Sequence, residues 1–296
     1  MFFYLLWNGK RPSKIEFLKE KPLDVDFSEK FKIKNTEYTI CGKINSSFKN
    51  YEFPDENKYT KSVYLSSHLQ KAIRRMDSEK SVKTAIHFIK LDYNSFIRRL
   101  PIIMLEDVTF HECFPVLVWL MIANTKGFTI KEEIIKWLLG VVYTLSQIKE
   151  YTQYRKYKDT IETNHENIYL QSLSFRKSYG GMKGDMEMIE YYKRHIDNSE
   201  IIVRSDKISI IKLDIGDLEY KEWIKSANDF HCNRYIIKHV GKYTELDDEK
   251  IKRLIWIFRS CFNKRHPRIE YDDKDKLEWE KIKKNVIHFQ KNCQFY

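Results

Sequence analysis

The stretch YLSSHLQKAIRRMDSEKSVKTAIHFI, residues 64–89, contains two helical patterns on either side of a short polar junction. The first pattern repeats apolar side chains every three or four residues, at Leu65, Leu69, Ile73 and Met76, with Ser66 or Ser67 as a possible cap. The second starts at Asp77 or Ser78 and repeats apolar side chains at Val82, Ala85, Ile86 and Ile89. This spacing predicts two consecutive amphipathic helices.

Helical patterns continue through most of the chain. Thr109 precedes FHECFPVLVWLMIAN, which is apolar on nearly all sides and therefore predicts a central, buried helix. Thr129 precedes another amphipathic pattern, and two more helices are predicted over residues 247–259 and 274–290. The chain has only nine Gly and six Pro, which favours a helix-rich fold over one with many tight turns.

Short β elements are predicted at two places. The first sixty residues alternate like strands, with Asn8-Gly9 as a hairpin turn and a second hairpin around Asn35-Thr36. A further hairpin is predicted over residues 201–213, around Ser205-Asp206. We therefore expect a mainly α fold, a helical bundle with small β elements at the N-terminus and near residue 205. Its three parts would span residues 1–60, 61–200 and 201–296.

The chain is strongly basic. It has 53 Lys and Arg against 42 Asp and Glu, a formal charge of +11 and a pI near 9.1. An excess of this size favours association with a polyanion such as nucleic acid. The alternative is a Lys-rich composition spread evenly over a solvated surface.

The cysteines and the apolar segments exclude several classes of protein. The five cysteines are odd in number, widely spaced and without a CxxC pair, so neither a zinc site nor a disulfide framework is predicted. We expect no metal and no cofactor. MFFYLLW at the start lacks the features of a signal peptide, and the apolar run 114–123 is too short to span a bilayer. These patterns predict a soluble intracellular protein, with no membrane partner.

Three basic regions are candidates for phosphate contact. Each places cations near a helix or near aromatic side chains that could stack on bases. The candidate residues are Lys71, Arg74 and Arg75 in the first helix, Lys183 in the loop YGGMKGD, and Arg259, Lys264, Arg265 and Arg268 around Trp256 and Phe262. The alternative is that these cations are the solvated sides and ends of helices, and that the glycines serve packing.

An enzymatic alternative rests on a few polar residues. Asp185, Asp229, His231 and Cys232 would form the site of a nuclease-like hydrolase acting on nucleic acid if the fold brings them together, with Lys183 as an electrophilic aid. A capping Asp beside a packed His and Cys explains the same residues without catalysis. No Walker A, GxSxG, HExxH or GxGxxG motif is present. A third alternative is a protein-interaction module that binds a host or viral partner through an exposed apolar patch over residues 119–137.

Part of the chain resembles a known family. The run S-x-LQKAIRR-x-D at residues 67–77, followed by RRLPIIMLEDV at 98–108, is similar to the C-terminal helical region of clamp-loader-like AAA+ ATPases of the replication-associated recombination and Werner-helicase-interacting type. The resemblance covers about 60 residues, from 64 to 123. It implies that Arg98, Arg99, Glu106 and Asp107 hold the bundle together or form a subunit interface, and that the protein forms homo-oligomers.

The chain departs from this family because it has no Walker A or Walker B motif, so ATP hydrolysis is not implied. The stretches YGGMKGD and DFHC and the Lys-rich composition also resemble proteins of large DNA viruses that keep this helical module alone. That resemblance implies a cytoplasmic or nuclear location, or a viral factory. Together these features favour a non-enzymatic, DNA-associated accessory factor in replication or repair.

Overall fold

The computed structural model describes residues 1–56, 61–154, 167–216, 234–267 and 269–292. These residues form nine α-helices, one short π-helix and one four-stranded sheet. The predicted mainly α fold with small β elements is therefore confirmed.

The N-terminal sheet contains four strands, β1 (Phe2–Asn8), β2 (Arg11–Leu18), β3 (Phe27–Ile33) and β4 (Thr36–Ile44). Their order is β2-β1-β4-β3, so two antiparallel hairpins are joined by the parallel pair β1–β4. Gly9 turns the first hairpin with a φ of 71°, a conformation that glycine adopts without a steric penalty. Strands β2 and β3 are the outer strands of the sheet.

One face of the sheet packs on the helices. Phe3, Leu5 and Trp7 alternate along β1 and are buried in the same core as the bundle. The indole Nε1 of Trp119 donates hydrogen bonds to the backbone oxygens of Phe3 (3.1 Å) and Cys41 (3.0 Å). The sheet and the bundle thus form a single folded unit.

Six helices form the bundle. They are α1 (Ser62–Arg74), α2 (Ser78–Asp107), α3 (Phe114–Thr125), α4 (Glu132–Gln147), α5 (Ile168–Ser178) and α6 (Lys183–Asp197). Asp77 caps α2 by accepting a hydrogen bond from the backbone N–H of Lys80 (3.1 Å). Helix α1 begins before Ser66 and Ser67, so neither serine is its cap. Every residue from Phe114 to Ala123 is buried, which makes α3 the central helix.

Residues 201–216, which we call the strap, contain one isolated β-bridge and no strand, and they do not form a hairpin. Arg204 makes a single bridge with His111, where its N–H donates to Phe110 and its carbonyl accepts from Glu112 (3.0 and 2.8 Å). Farther along, the N–H of Ile211 donates to the carbonyl of Lys136 on α4 (3.2 Å). The predicted hairpin over 201–213 is wrong because the strap pairs its backbone with the bundle instead of with itself.

Gly140 on α4 allows the strap to lie close to the bundle, because a Cβ at this position would overlap the backbone carbonyl of Ser209. We expect Gly140→Ala to lower the free energy of unfolding by about 1–3 kcal/mol, the usual cost of overpacking. Gly184→Ala is the matched control, since a Cβ at Gly184 would meet no atom within 4 Å. Urea denaturation of both variants measures the difference, and equal stability would show that the strap does not lie against α4.

The C-terminal unit, residues 234–292, has a core of its own. It contains α7 (Arg234–Gly241), α8 (Asp248–Ile255), the π-helix Trp256–Ser260 and α9 (Asp273–Asn292). Its buried side chains include Ile237 on α7, Leu254 on α8 and Ile282 on α9. Because the strap belongs to the first core, this unit begins later than the expected boundary at residue 201.

None of the helices in the described ranges is both long and apolar enough to cross a membrane.

Candidate nucleic-acid interface

The first basic cluster lies inside the protein. Lys71 and Arg74 are only 1% and 3% exposed. The Nε of Arg74 donates to Oδ1 of Asp107 (2.7 Å), and its Nη1 donates to the backbone oxygen of Ser260 (2.8 Å). The prediction that Lys71 and Arg74 contact phosphate is wrong, because α2 and the C-terminal unit cover this side of α1.

Arg265 also binds protein groups and not a ligand. Its guanidinium donates to the backbone oxygens of Ile73 (2.9 Å), Leu145 (2.6 Å) and Ile148 (2.7 Å), at the C-terminal ends of α1 and α4. A cation is favourable there because carbonyls at a helix C-terminus carry partial negative charge. Burial lowers the pKa of Arg265 to about 10. Arg265 therefore holds the C-terminal unit on the bundle, and its predicted phosphate contact is wrong.

The other predicted phosphate-contacting residues are dispersed. Arg75 is half-buried and donates to the backbone oxygen of Arg259 (3.1 Å), so both residues lie where the two units meet. Lys264 is exposed beside them, whereas Lys183 is exposed on α6 of the bundle. Arg268 lies outside the described residues. Those of the predicted residues that the structure describes therefore do not form one surface.

The four residues expected to hold the bundle together all bond within it. Arg98 donates to the backbone oxygen of Tyr179 (2.9 Å). Arg99 donates to Oε1 of Gln70 (2.6 Å) and lies 3.4 Å from the carboxylates of both Glu106 and Asp185. Asp107 pairs with Arg74, as described above.

The described residues give no support to the enzymatic alternative. Asp185 is 7% exposed and is engaged by Arg99. Asp229, His231 and Cys232 lie outside the described residues, so their convergence with Asp185 stays a prediction. Among the described residues, no group of three His, Cys, Asp or Glu side chains could hold a metal ion.

The large apolar side chains of the segment proposed as an exposed apolar patch are mostly buried. Trp119 and Trp137 are 0% and 2% exposed, and residues 120–123 of α3 are buried as well. Residues 124–133 are mostly half-buried or exposed, but they are largely polar, with Phe128 half-buried. Residues 119–137 therefore do not present the expected large apolar patch.

Helix α9 carries an exposed row of cations that the sequence analysis did not single out. Lys274, Lys281 and Lys284 are exposed and recur on one side of the helix, together with Leu277 and His288. The opposite side is buried through Asp275, Trp279, Ile282 and Val286. We call the exposed row the α9 stripe.

The lysines of the α9 stripe are not neutralised by neighbours. None of the three forms an ion pair with any described residue, whereas Lys276 and Lys283 pair with Asp273 (2.9 Å) and Glu280 (3.0 Å). Within the described part of the chain, the stripe thus presents positive charge without an ion-pairing partner.

Helix α7 and the turn that follows it add aromatic groups to this surface. Tyr235 and Tyr243 are 62% and 60% exposed, and the exposed Lys238 and Lys242 lie between them without an ion pair to any described residue. We call these four residues the α7 stripe. Cations interleaved with exposed rings are typical of surfaces that bind nucleic acid.

The two stripes meet at a pair of histidines. The rings of His239 on α7 and His288 on α9 are stacked, with centroids 6.2 Å apart, and His239 also contacts Tyr243 at 5.3 Å. Partial burial, His288 and Lys242 lower the pKa of His239 below its ordinary value. This histidine pair therefore brings the α7 stripe next to the C-terminal end of the α9 stripe.

The C-terminal unit carries much of the charge of the chain. Residues 234–292 contain 16 Lys and Arg against 10 Asp and Glu, an excess of six out of eleven. The same periodicity that predicted the helix over 274–290 would have placed the three lysines opposite its apolar side. The sequence therefore contained a signal for these lysines, but in this part of the chain the predicted phosphate contacts were assigned to the basic run at 264–268 instead.

No family model, curated protein or solved structure matches this chain.

Proposed function

We propose that this protein is a non-enzymatic, DNA-associated accessory factor whose C-terminal unit binds the phosphate backbone. The observation that carries this proposal is the basic surface formed by the α7 and α9 stripes. Five of its lysines are exposed and make no ion pair within the described residues: Lys238, Lys242, Lys274, Lys281 and Lys284.

The arrangement of the lysines suits contact with the phosphate backbone of DNA better than contact with the edges of its bases. Lys274 and Lys284 are ten residues apart, which is about 15 Å along a helix. Each lysine is a flexible point charge, so it neutralises phosphate and releases counterions without reading sequence. The proposed binding is therefore largely independent of base sequence.

The biological setting of the proposal comes from the sequence resemblance alone. Similarity of residues 64–123 to the helical region of replication-associated ATPases supports a role in replication or repair, with homo-oligomers as part of it. Assembly would use bundle surfaces, because the proposed DNA contacts lie on the C-terminal unit.

Fluorescence anisotropy with labelled single-stranded and duplex DNA tests the proposal. We expect binding at 50 mM salt that weakens at least tenfold by 200 mM salt, as counterion release requires. Absence of binding to both DNAs at 50 mM salt would exclude the proposed function.

The affinity for DNA should also depend on pH. A phosphate bound beside His239 raises the lowered pKa of this residue, so binding takes up a proton. By linkage, the affinity rises as pH falls toward and below the ordinary pKa of histidine, because the free protein holds this proton only at a pH below that value. Anisotropy titrations at constant ionic strength measure this rise. His239→Gln should flatten it, and an unchanged pH dependence in that variant would place the responsible group elsewhere.

A further inference from the structure

A cavity of about 500 Å³ lies between strand β2 and the strap. Pro115 and Val116 of α3, Trp137 of α4 and Ile168 and Tyr169 of α5 supply its apolar floor. A volume of this size is in the range of ligand-binding cavities in proteins. No residue of the proposed DNA-binding surface lines it. We call this cavity the edge groove.

One side of the edge groove is the unpaired edge of a sheet. β2 is an outer strand, so its backbone pairs with β1 on one side only. Five consecutive residues, 11–15, line the cavity, which means that the backbone edge borders it and not just one face of the strand. An exposed strand edge of this kind offers free N–H and C=O groups to another chain.

The other side of the edge groove is the strap. The structure fixes the strap at Arg204, which pairs with residues 110–112, and at Ile211, which donates to Lys136. Between these two points residues 205–208 line the cavity, and none of their backbone N–H groups bonds to another described backbone group. The carbonyl of Asp206 lies 3.1 Å from Nε2 of His111, so the strap is anchored there to the bundle. The groove therefore lies between the unpaired edge of β2 and a strap that forms no ladder of its own.

Charged side chains at the edge groove favour an acidic ligand. Lys14 and Asp206 are neutralised by Glu16 (2.7 Å) and Arg204 (2.8 Å). Arg11 and Lys207 are exposed at the groove and form no ion pair with any described residue. Glu112 is the one carboxylate among the lining residues that has no ion pair within the described chain.

We propose that the edge groove binds an extended, acidic peptide segment of a partner protein as an additional strand on β2. Backbone hydrogen bonds to β2 supply affinity, and alternate side chains of the peptide meet the apolar floor. Arg11 and Lys207 bind its carboxylates. Pro12 has no N–H, so the peptide pairs with the strand from Ser13 onward.

The dimensions fix the length of the bound segment. Five residues of β2 span about 16 Å, which matches a peptide strand of four or five residues. Such a segment carries one or two acidic side chains that alternate with apolar ones. Its acidic side chains then contact Arg11 and Lys207, and its apolar side chains contact the apolar floor.

Panning of a phage library of random octapeptides on the immobilised full chain tests this proposal. We expect enriched peptides in which acidic and apolar residues alternate. Synthetic versions should bind the double variant Arg11→Glu/Lys207→Glu at least tenfold more weakly than the wild type. Methylation of alternate backbone nitrogens of the peptide should also weaken binding at least tenfold.

The far-UV circular dichroism and the urea unfolding midpoint of the double variant are the controls for folding, and we expect both to match the wild type. No enriched peptide, or enriched peptides that bind the double variant as well as the wild type, would overturn the proposal. Equal binding of the N-methylated peptides would also overturn it, since an added strand needs those N–H groups.

Discussion

Arg74→Met should lower the free energy of unfolding by about 3–5 kcal/mol, the usual cost of removing one member of a buried ion pair. Asp107 is completely buried, and Arg74 binds its carboxylate at 2.7 Å. The same substitution removes the hydrogen bond to the backbone oxygen of Ser260, so contact with the C-terminal unit weakens as well. Urea denaturation followed by tryptophan fluorescence, to which the buried Trp7, Trp119 and Trp137 contribute, measures the loss.

The double variant Arg74→Met/Asp107→Asn distinguishes the cost of the buried Asp107 charge from the cost of lost packing at Arg74. Because the asparagine is neutral, we expect the double variant to be more stable than Arg74→Met alone, even though it carries one more substitution. A loss below about 1 kcal/mol in Arg74→Met would show that Asp107 is not held by this arginine.

Replacing the three lysines of the α9 stripe should nearly abolish DNA binding at moderate salt. Each contact contributes about 0.9 to the slope of log affinity against log salt, so Lys274→Gln/Lys281→Gln/Lys284→Gln should lower that slope by about 2–3. At 0.1 M salt the corresponding loss of affinity is roughly 100-fold. Glutamine keeps the helix propensity of the replaced lysines, so α9 should remain folded.

A variant with the same change of net charge is the control for this experiment. Lys10, Lys19 and Lys21 are exposed in the N-terminal sheet region and form no ion pair with any described residue. Their replacement by glutamine should change DNA affinity less than about threefold, through the net charge alone. Equal losses in the two variants would mean that total charge, and not the α9 stripe, governs binding.

Local sequence patterns were sufficient to predict most of the helices and the two N-terminal hairpins. The three- and four-residue spacing from 64 to 89 corresponds to α1 and α2, and Asn8-Gly9 joins β1 to β2. The parallel pairing of β1 with β4 was not predicted, because no turn signal connects strands so far apart in sequence. The alternation over 201–213 shows which side chains the strap buries, but it does not reveal which backbone the strap pairs with.

The burial of Arg74 could not be predicted from its neighbours in sequence. It lies beside the apolar face of α1, where a helix by itself would leave it in solvent. The group that covers it, Ser260, is 186 residues away in sequence. The α9 stripe is different, because its lysines and its apolar side belong to one helix and could be read from one periodic pattern.

Protection of lysines from an amine-reactive reagent by DNA tests the central claim most directly. Modification would be measured by mass spectrometry, with and without saturating DNA at 50 mM salt. The account predicts that DNA lowers modification of Lys238, Lys242, Lys274, Lys281 and Lys284 severalfold, while Lys10, Lys19 and Lys21 react as before. Protection confined to the bundle or the sheet, with the α9 stripe still reactive, would contradict the account.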